Sequence, residues 1–272
     1  MYDNQFPLII PEIDKPEQRT YADYLQVKHL LNLQKLQSPN HEHDELLFII
    51  IHQVYELWFK QIIYEFLQIK KDLKADLDNK LLLGLKRIRI ILKVLVLQTD
   101  ILETMNPLSF LAFRDYLGNS SGFQSLQFRE LEFILGLKND KILASGLFKE
   151  KELHRLKEAY KQESVWECML DFFKRKVDAN YDKCVNQFNE LSDYHHILIH
   201  IYKNHSTLTE IAELVLDIDE GIQEWRYRHV KMVERIIGGS KTGTGGSSGV
   251  EYLKKSLFKS FCPELWEIRN YF

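Results

Sequence analysis

The sequence predicts an all-α fold, and three observations carry that expectation. Prolines stand only at positions 7, 11, 16, 39, 107 and 263, so 40–106 and 108–262 lack the residue that most reliably breaks a helix. Leu, Lys, Glu and Gln, which lose little rotamer freedom in a helix, abound, whereas Val and Thr are sparse. Apolar residues recur at helical spacing along most of the chain, and no short alternating run bounded by turn residues reads as a strand.

Taken in order, the first twenty residues hold three prolines and read as an extended arm able to reach over a neighbouring subunit. Helical spacing then runs over 20–35. The pattern over 43–74 sets Phe48, His52, Tyr55 and Phe59 four, three and four residues apart, on one face. Further helices are predicted over 79–104 and 108–117. Asn119-Ser-Ser-Gly122 breaks the pattern, with Ser120 or Ser121 capping the segment that starts at Phe123 and belongs to 122–137. Segments 149–160, 164–177, 181–203 and 206–237 follow, and 250–259 completes the set. Half of the 12 glycines fall between Gly238 and Gly249, a loop in which main-chain N–H groups can converge on an anion.

No repeat and no low-complexity linker divides the 272 residues, so one domain over 1–272 is expected. The net charge of −3 gives no broad pull on nucleic acid or an anionic membrane. Cys168, Cys184 and Cys262 are odd in number and contain no CxxC pair, which fits a reduced, cytoplasmic chain. The N-terminus lacks the basic and apolar regions of a secretory signal, and the longest apolar run, Leu46–Ile51, is too short to cross a bilayer. A protein acting neither on nucleic acid nor in a membrane is the expectation.

Three constellations could carry chemistry. His52 among aromatics is either a hydrogen-bonded core residue or a polar group aimed into an apolar pocket. His229 shares a stripe with Trp225, Met232, Val233 and Ile236, while Arg226, Arg228, Lys231 and Arg235 fall elsewhere on the helix. An apolar stripe with one neutral imidazole suits a proximal haem ligand, and nearby arginines could meet the propionates; a core histidine with surface arginines is the plainer alternative. Arg114, set among Phe110, Phe113 and Tyr116, could grip a carboxylate in bidentate fashion or pair with Asp115 or Asp100. The glycine loop follows a helix and lacks both phosphate-loop orders, so nucleotide binding is rejected there. Asp193-Tyr-His-His196 with His200 and His205 has di-iron-like spacing, but no matching carboxylates accompany it, and a histidine-rich helix surface is the better reading.

Several longer runs resemble the tryptophan 2,3-dioxygenase family. They are His43-Asp-Glu-Leu-Leu-Phe-Ile-Ile-Ile-His-Gln-Val-Tyr-Glu-Leu-Trp-Phe-Lys60, Phe113-Arg-Asp-Tyr-Leu-Gly-Asn-Ser-Ser-Gly-Phe-Gln-Ser-Leu-Gln-Phe-Arg129, and Trp225-Arg-Tyr-Arg-His229 followed by Gly243-Thr-Gly-Gly-Ser-Ser-Gly249. Tyr21-Ala-Asp-Tyr-Leu25 adds a shorter match, and the runs occur in family order over nearly the whole chain. The resemblance implies an all-helical homotetramer with one b-type haem per subunit, active in the ferrous form, and O₂ as co-substrate. It implies insertion of both oxygen atoms across the indole C2–C3 bond of L-tryptophan to give N-formyl-L-kynurenine. By the same resemblance His229 is the proximal ligand, His52 contacts the indole N–H, and Phe48 is the wall beside the indole. Arg114 holds the carboxylate, Thr244 lies near the ammonium and carboxylate, Phe110 borders the pocket, and Ser121 lies close to the haem. Tyr21, Tyr24 and Leu25 match residues that a neighbouring subunit inserts to close the pocket. Competing readings are a haem dioxygenase for a substituted indole and a non-catalytic haem carrier or sensor; a carrier would not need Arg114, Thr244 and the aromatic pocket together.

Overall fold

Long proline-free stretches become long helices. The computed structural model describes residues 19–177, 191–238, 250–254 and 257–272, and every regular element among them is helical. The described residues up to Leu36 and those from Gln37 onward form two separate compact units.

In the first unit, α1 (Tyr21–Leu25) starts at Thr20, whose hydroxyl accepts the Asp23 N–H at 3.2 Å while the Asp23 carboxylate accepts the Thr20 N–H at 3.2 Å. Gln26 adopts a left-handed conformation (φ 55°) and separates α1 from α2 (Val27–Leu30). Its side-chain amide donates to the Asp23 carbonyl at 2.6 Å, satisfying a group that the helix end would leave open. The continuous helix expected over 20–35 is therefore two short ones. The arm at 1–18 lies outside the described residues.

The second unit contains α3 (His43–Lys74), α4 (Asp78–Leu102), α5 (Pro107–Arg114), α6 (Leu126–Leu135), α7 (Asp140–Leu143), α8 (Glu150–Lys161), α9 (Val165–Lys176), α10 (Asp193–Asn204), α11 (Ser206–Ile237), α12 (Val250–Lys254) and α13 (Pro263–Glu267). The bounds of α3 and α11 match the sequence expectation. After α5 the chain tightens into a 3₁₀ turn at Asp115–Leu117, and a second 3₁₀ turn, Gly122–Gln124, precedes α6. Ser121 caps that turn through the Phe123 N–H (3.4 Å), and Gly136 ends α6 at φ 106°, a conformation that favours glycine. Of the helix expected over 181–203, residues 181–190 lie outside the description and α10 starts only at Asp193, where Ser192 supplies the cap. The helices α7 and α13 have four and five residues, too short to display a period in the sequence.

α4 packs against both α3 and α11, and these three helices form the centre. α6 and α9 also pack on α3, α8 covers α6, α10 contacts α9 and α11, and α5 touches α3 and α11. Close approach is built in at two glycines: a Cβ on Gly84 would lie 3.1 Å from Ile69 Cγ1, and one on Gly221 would lie 3.3 Å from Leu92 Cβ. α3 is long and apolar enough to cross a membrane by length and composition. It packs against α4, α5, α6 and α9 and carries buried Glu45, Glu65 and Asp72, each hydrogen-bonded: to Ser38, Arg87 and Gln68 respectively. Those are properties of a core helix.

Candidate active site

The site lies where α3 and α11 separate. Tyr55 and Phe59 of α3 meet Trp225 of α11, with ring centroids 6.0 and 5.5 Å apart, and Phe128 of α6 closes the group at 5.0 Å from Trp225. This aromatic cluster is a floor. His52 stands one turn before Tyr55 and His229 one turn after Trp225; α3 runs against α4 and α11 runs with α4, so α3 and α11 are antiparallel and both imidazoles lie on the same side of the floor. Phe48 continues the wall: its ring lies 4.1 Å from His52, 5.9 Å from Phe110 and 5.5 Å from Phe113. Trp225 stacks on His229 at 5.6 Å with a 20° interplanar angle.

The two histidines are electrically similar. Both keep accessible surface, yet burial among surrounding protein atoms is the largest influence on each, so they face a recess rather than open solvent. Burial holds the His52 pKa below the usual imidazole value, against smaller raising effects of the Phe48 carbonyl and Glu56. It pushes His229 down to about 4, helped by the charges of His52 and Arg129. Both rings are neutral near pH 7. His52 Nδ1 lies 2.7 Å from the Phe48 carbonyl oxygen. A carbonyl only accepts, so Nδ1 carries the proton and Nε2 keeps its lone pair, the tautomer being assigned from that hydrogen bond. His229 has no hydrogen-bond partner among the described residues, and its ring is free to use a nitrogen lone pair on a metal. A neutral, unpartnered imidazole beside a stacked indole, facing a second imidazole whose Nε2 can only accept, fits a haem iron and the ligand-binding space opposite it.

Arg114 is the last residue of α5, half-buried, four positions after Phe110 and on the same helical face. Asp100, one pairing partner considered for it, is instead bound by Arg228. Ser121 sits half-buried at the head of its 3₁₀ turn. Thr244 and the rest of 239–249 lie outside the described residues. Tyr21, Tyr24 and Leu25 are exposed in the first unit. One arginine of α11 differs from the surface set read from the sequence: Arg226 is 5% exposed and pairs with Glu132 at 3.0 Å. Arg228 and Arg235 pair with Glu103, the residue that follows α4, at 3.5 and 3.0 Å. Of the 193–205 histidines, His195 is bound to Glu267 at 2.8 Å, and among the described residues no group of three or more His, Cys, Asp and Glu is gathered as for a metal ion.

Sequence reasoning missed Glu56. It stands one turn after His52, and its carboxylate accepts from Ser125 Oγ at 2.5 Å and Gln127 Nε2 at 2.8 Å, while Gln127 also donates to the Glu56 carbonyl. The helix bearing His52 is thereby tied to the segment after Ser121. Only the Ser-x-Gln spacing was visible in the chain; a partner 69 residues away was not.

An all-helical unit that brings two neutral imidazoles over an aromatic floor is the class of arrangement that suits a haem. Its relatives make the class specific. A family model described as tryptophan 2,3-dioxygenase matches residues 12–164 and 148–272. A tryptophan 2,3-dioxygenase of Herpetosiphon aurantiacus is 48% identical over 256 residues, covering 92% of this chain and 97% of the relative. Those of Anaeromyxobacter dehalogenans (92% and 95% covered) and Bacillus thuringiensis subsp. konkukian (94% and 94%) are 41% and 38% identical. The chain belongs to the tryptophan 2,3-dioxygenase family.

Proposed function

We infer that the chain is a haem-dependent dioxygenase that converts L-tryptophan to N-formyl-L-kynurenine, with a b-type haem active as the ferrous form. The observation that carries the reading is the opposition of two neutral imidazoles, one with no partner among the described residues and one locked as an acceptor. His229 would hold the iron. The haem supplies O₂ binding and activation when bound, and both oxygen atoms enter the product, so no external reductant is consumed per turnover.

The remaining work falls to side chains. His52 Nε2 accepts the indole N–H and orients the ring, while Phe48, Phe110 and Phe113 exclude water around it. Arg114 takes the carboxylate in a bidentate pair, with Thr244 beside the charged end. Ser121, at the head of its 3₁₀ turn, would lie close to the haem. His52, held neutral and with its proton already committed to Phe48, is an orienter and not an obligatory strong base.

Assembly as a homotetramer is the second part of the proposal. Exposed Ile50, Leu57 and Tyr64 on α3 and Leu83, Ile90 and Leu97 on α4 repeat every seven residues on two helices that pack together. That spacing suits helix-on-helix packing with another copy. Tyr21, Tyr24 and Leu25, exposed in the single chain, would enter a neighbour's pocket. The family match over nearly the whole chain supports one catalytic domain across 1–272, and the free, buried Cys168 and Cys262 suit a reducing cytoplasm.

His229→Ala tests the iron assignment. Loss of the histidine-ligated haem absorption spectrum with an unchanged helical circular dichroism signal is the expected result. A wild-type haem spectrum in that variant would show that the iron is held elsewhere.

A further inference from the structure

Phe48, His52 and Glu56 follow one another at four-residue steps on α3, each about 6 Å from the next along the helix axis. The outer two grip the same stretch of chain. Before His52, Phe48 packs on Phe110 and Phe113 of α5, at 5.9 and 5.5 Å. After it, the Glu56 carboxylate accepts from Ser125 Oγ at 2.5 Å and from Gln127 Nε2 at 2.8 Å. Gln127 Nε2 also donates to the Glu56 carbonyl at 2.8 Å. Residues 114–124, which include Arg114 and Ser121, are therefore held to α3 at both ends, one helical turn to either side of His52.

The Glu56 end suits that task. Ser125 caps α6 and Gln127 lies in its first turn, so the carboxylate stands at the positive end of the helix dipole with one donor on each oxygen. Gln127 directs its amide nitrogen to Glu56 twice, although its amide oxygen is then buried without a hydrogen-bond partner among the described residues. The tie is kept at a cost to stability. Nearer the site the turn is stiffened from within: Ser121 Oγ accepts the Phe123 N–H at 3.4 Å, and the Gln124 side chain accepts the Ser121 N–H at 3.2 Å. The capped turn passes the position of Ser125 on to Ser121.

We propose that Glu56 is a positioning residue that fixes the stretch bearing Arg114 and Ser121 across His52. It so sets the separation between the acceptor for the indole N–H and the groups that take the substrate's charged end. The proposal rests on the reading of His52 and Arg114 as the two anchors of the substrate. L- and D-tryptophan carry the same groups, so a pocket tells them apart by holding the indole and the carboxylate at one separation, which decides where the ammonium falls. A slack separation lets both isomers satisfy both anchors.

The test is the ratio of affinities for L- and D-tryptophan on the haem-loaded full-length protein, read from the Soret shift with L-tryptophan and its reversal by the D isomer. A ratio taken on one preparation does not depend on how much of it is folded and loaded, so a loss of stability alone leaves it unmoved. Glu56→Ala should lower the ratio by up to about tenfold, the weight of the hydrogen bonds removed. Gln127→Ala should lower it in the same direction, and both substitutions together should do little more than Glu56→Ala alone. Glu56→Gln, which keeps one acceptor oxygen, should fall between Glu56→Ala and wild type. An unchanged ratio in Glu56→Ala, or effects of the two alanine substitutions that simply add, would overturn the proposal. If Glu56→Ala takes up no haem, Gln127→Ala and Glu56→Gln decide by the same ratio. Arg114→Ala runs alongside: a ratio that it leaves untouched removes the substrate reading, whereas one that falls with Arg114→Ala and not with Glu56→Ala removes only the positioning role.

Discussion

His52 shows what one hydrogen bond decides. The residue was visible in the sequence as a histidine among aromatics, open to two interpretations. The 2.7 Å contact from Nδ1 to the Phe48 carbonyl, one turn back on the same helix, selects the acceptor at Nε2. Arg226 shows the reverse. Its position off the apolar stripe made it a surface residue in the sequence, and only Glu132, 94 residues away, explains its burial. The aromatic setting of Arg114 was legible, and Phe110 and Phe113 of its helix do pack on Phe48. Arg114→Ala should lower kcat/KM for L-tryptophan by about 2–4 kcal/mol in transition-state terms, and by much less for tryptamine, which lacks the carboxylate. Equal losses on both substrates would remove the carboxylate-binding role.

Helix periodicity located most elements because the long helices bury one face over many turns. Every residue of the site in α3 and α11 could be placed on its face before any coordinates. Failures fell where a few residues decide: the left-handed Gln26, the four residues of α7, and the 3₁₀ turns around Gly118 and Gly122. Helix-to-helix distance was likewise hidden. Gly84 reads as a mild weakness in a helix, yet it is where α4 meets Ile69 of α3, itself 1% exposed. Gly84→Val should therefore destabilise the fold by about 1–3 kcal/mol through overpacking. Chemical denaturation measures this, and a variant as stable as wild type would show that the α3–α4 contact can relax.

At the scale of the whole molecule, α3, which carries part of the site, and α4, packed against it, also present an apolar outer face. Leu57 and Ile90 are 52% and 56% exposed there, beside Trp58 and Arg87 in one groove. Leu57→Asp with Ile90→Asp should reduce the assembly to smaller species by light scattering while leaving the helical signal intact; an unchanged mass would place the subunit contact on another face. Which residues a neighbour adds is invisible in one chain; Tyr21, Tyr24 and Leu25 stand exposed in the single chain, as their proposed insertion into a neighbour requires. In the proposed function this family member holds haem at His229 and oxidises tryptophan over it. The most direct measurement is a time-resolved absorption spectrum of the haem-loaded, reduced protein mixed with L-tryptophan in aerated buffer. The account predicts a haem Soret band together with growing N-formylkynurenine absorbance; a Soret band without product, or no haem uptake at all, would contradict it.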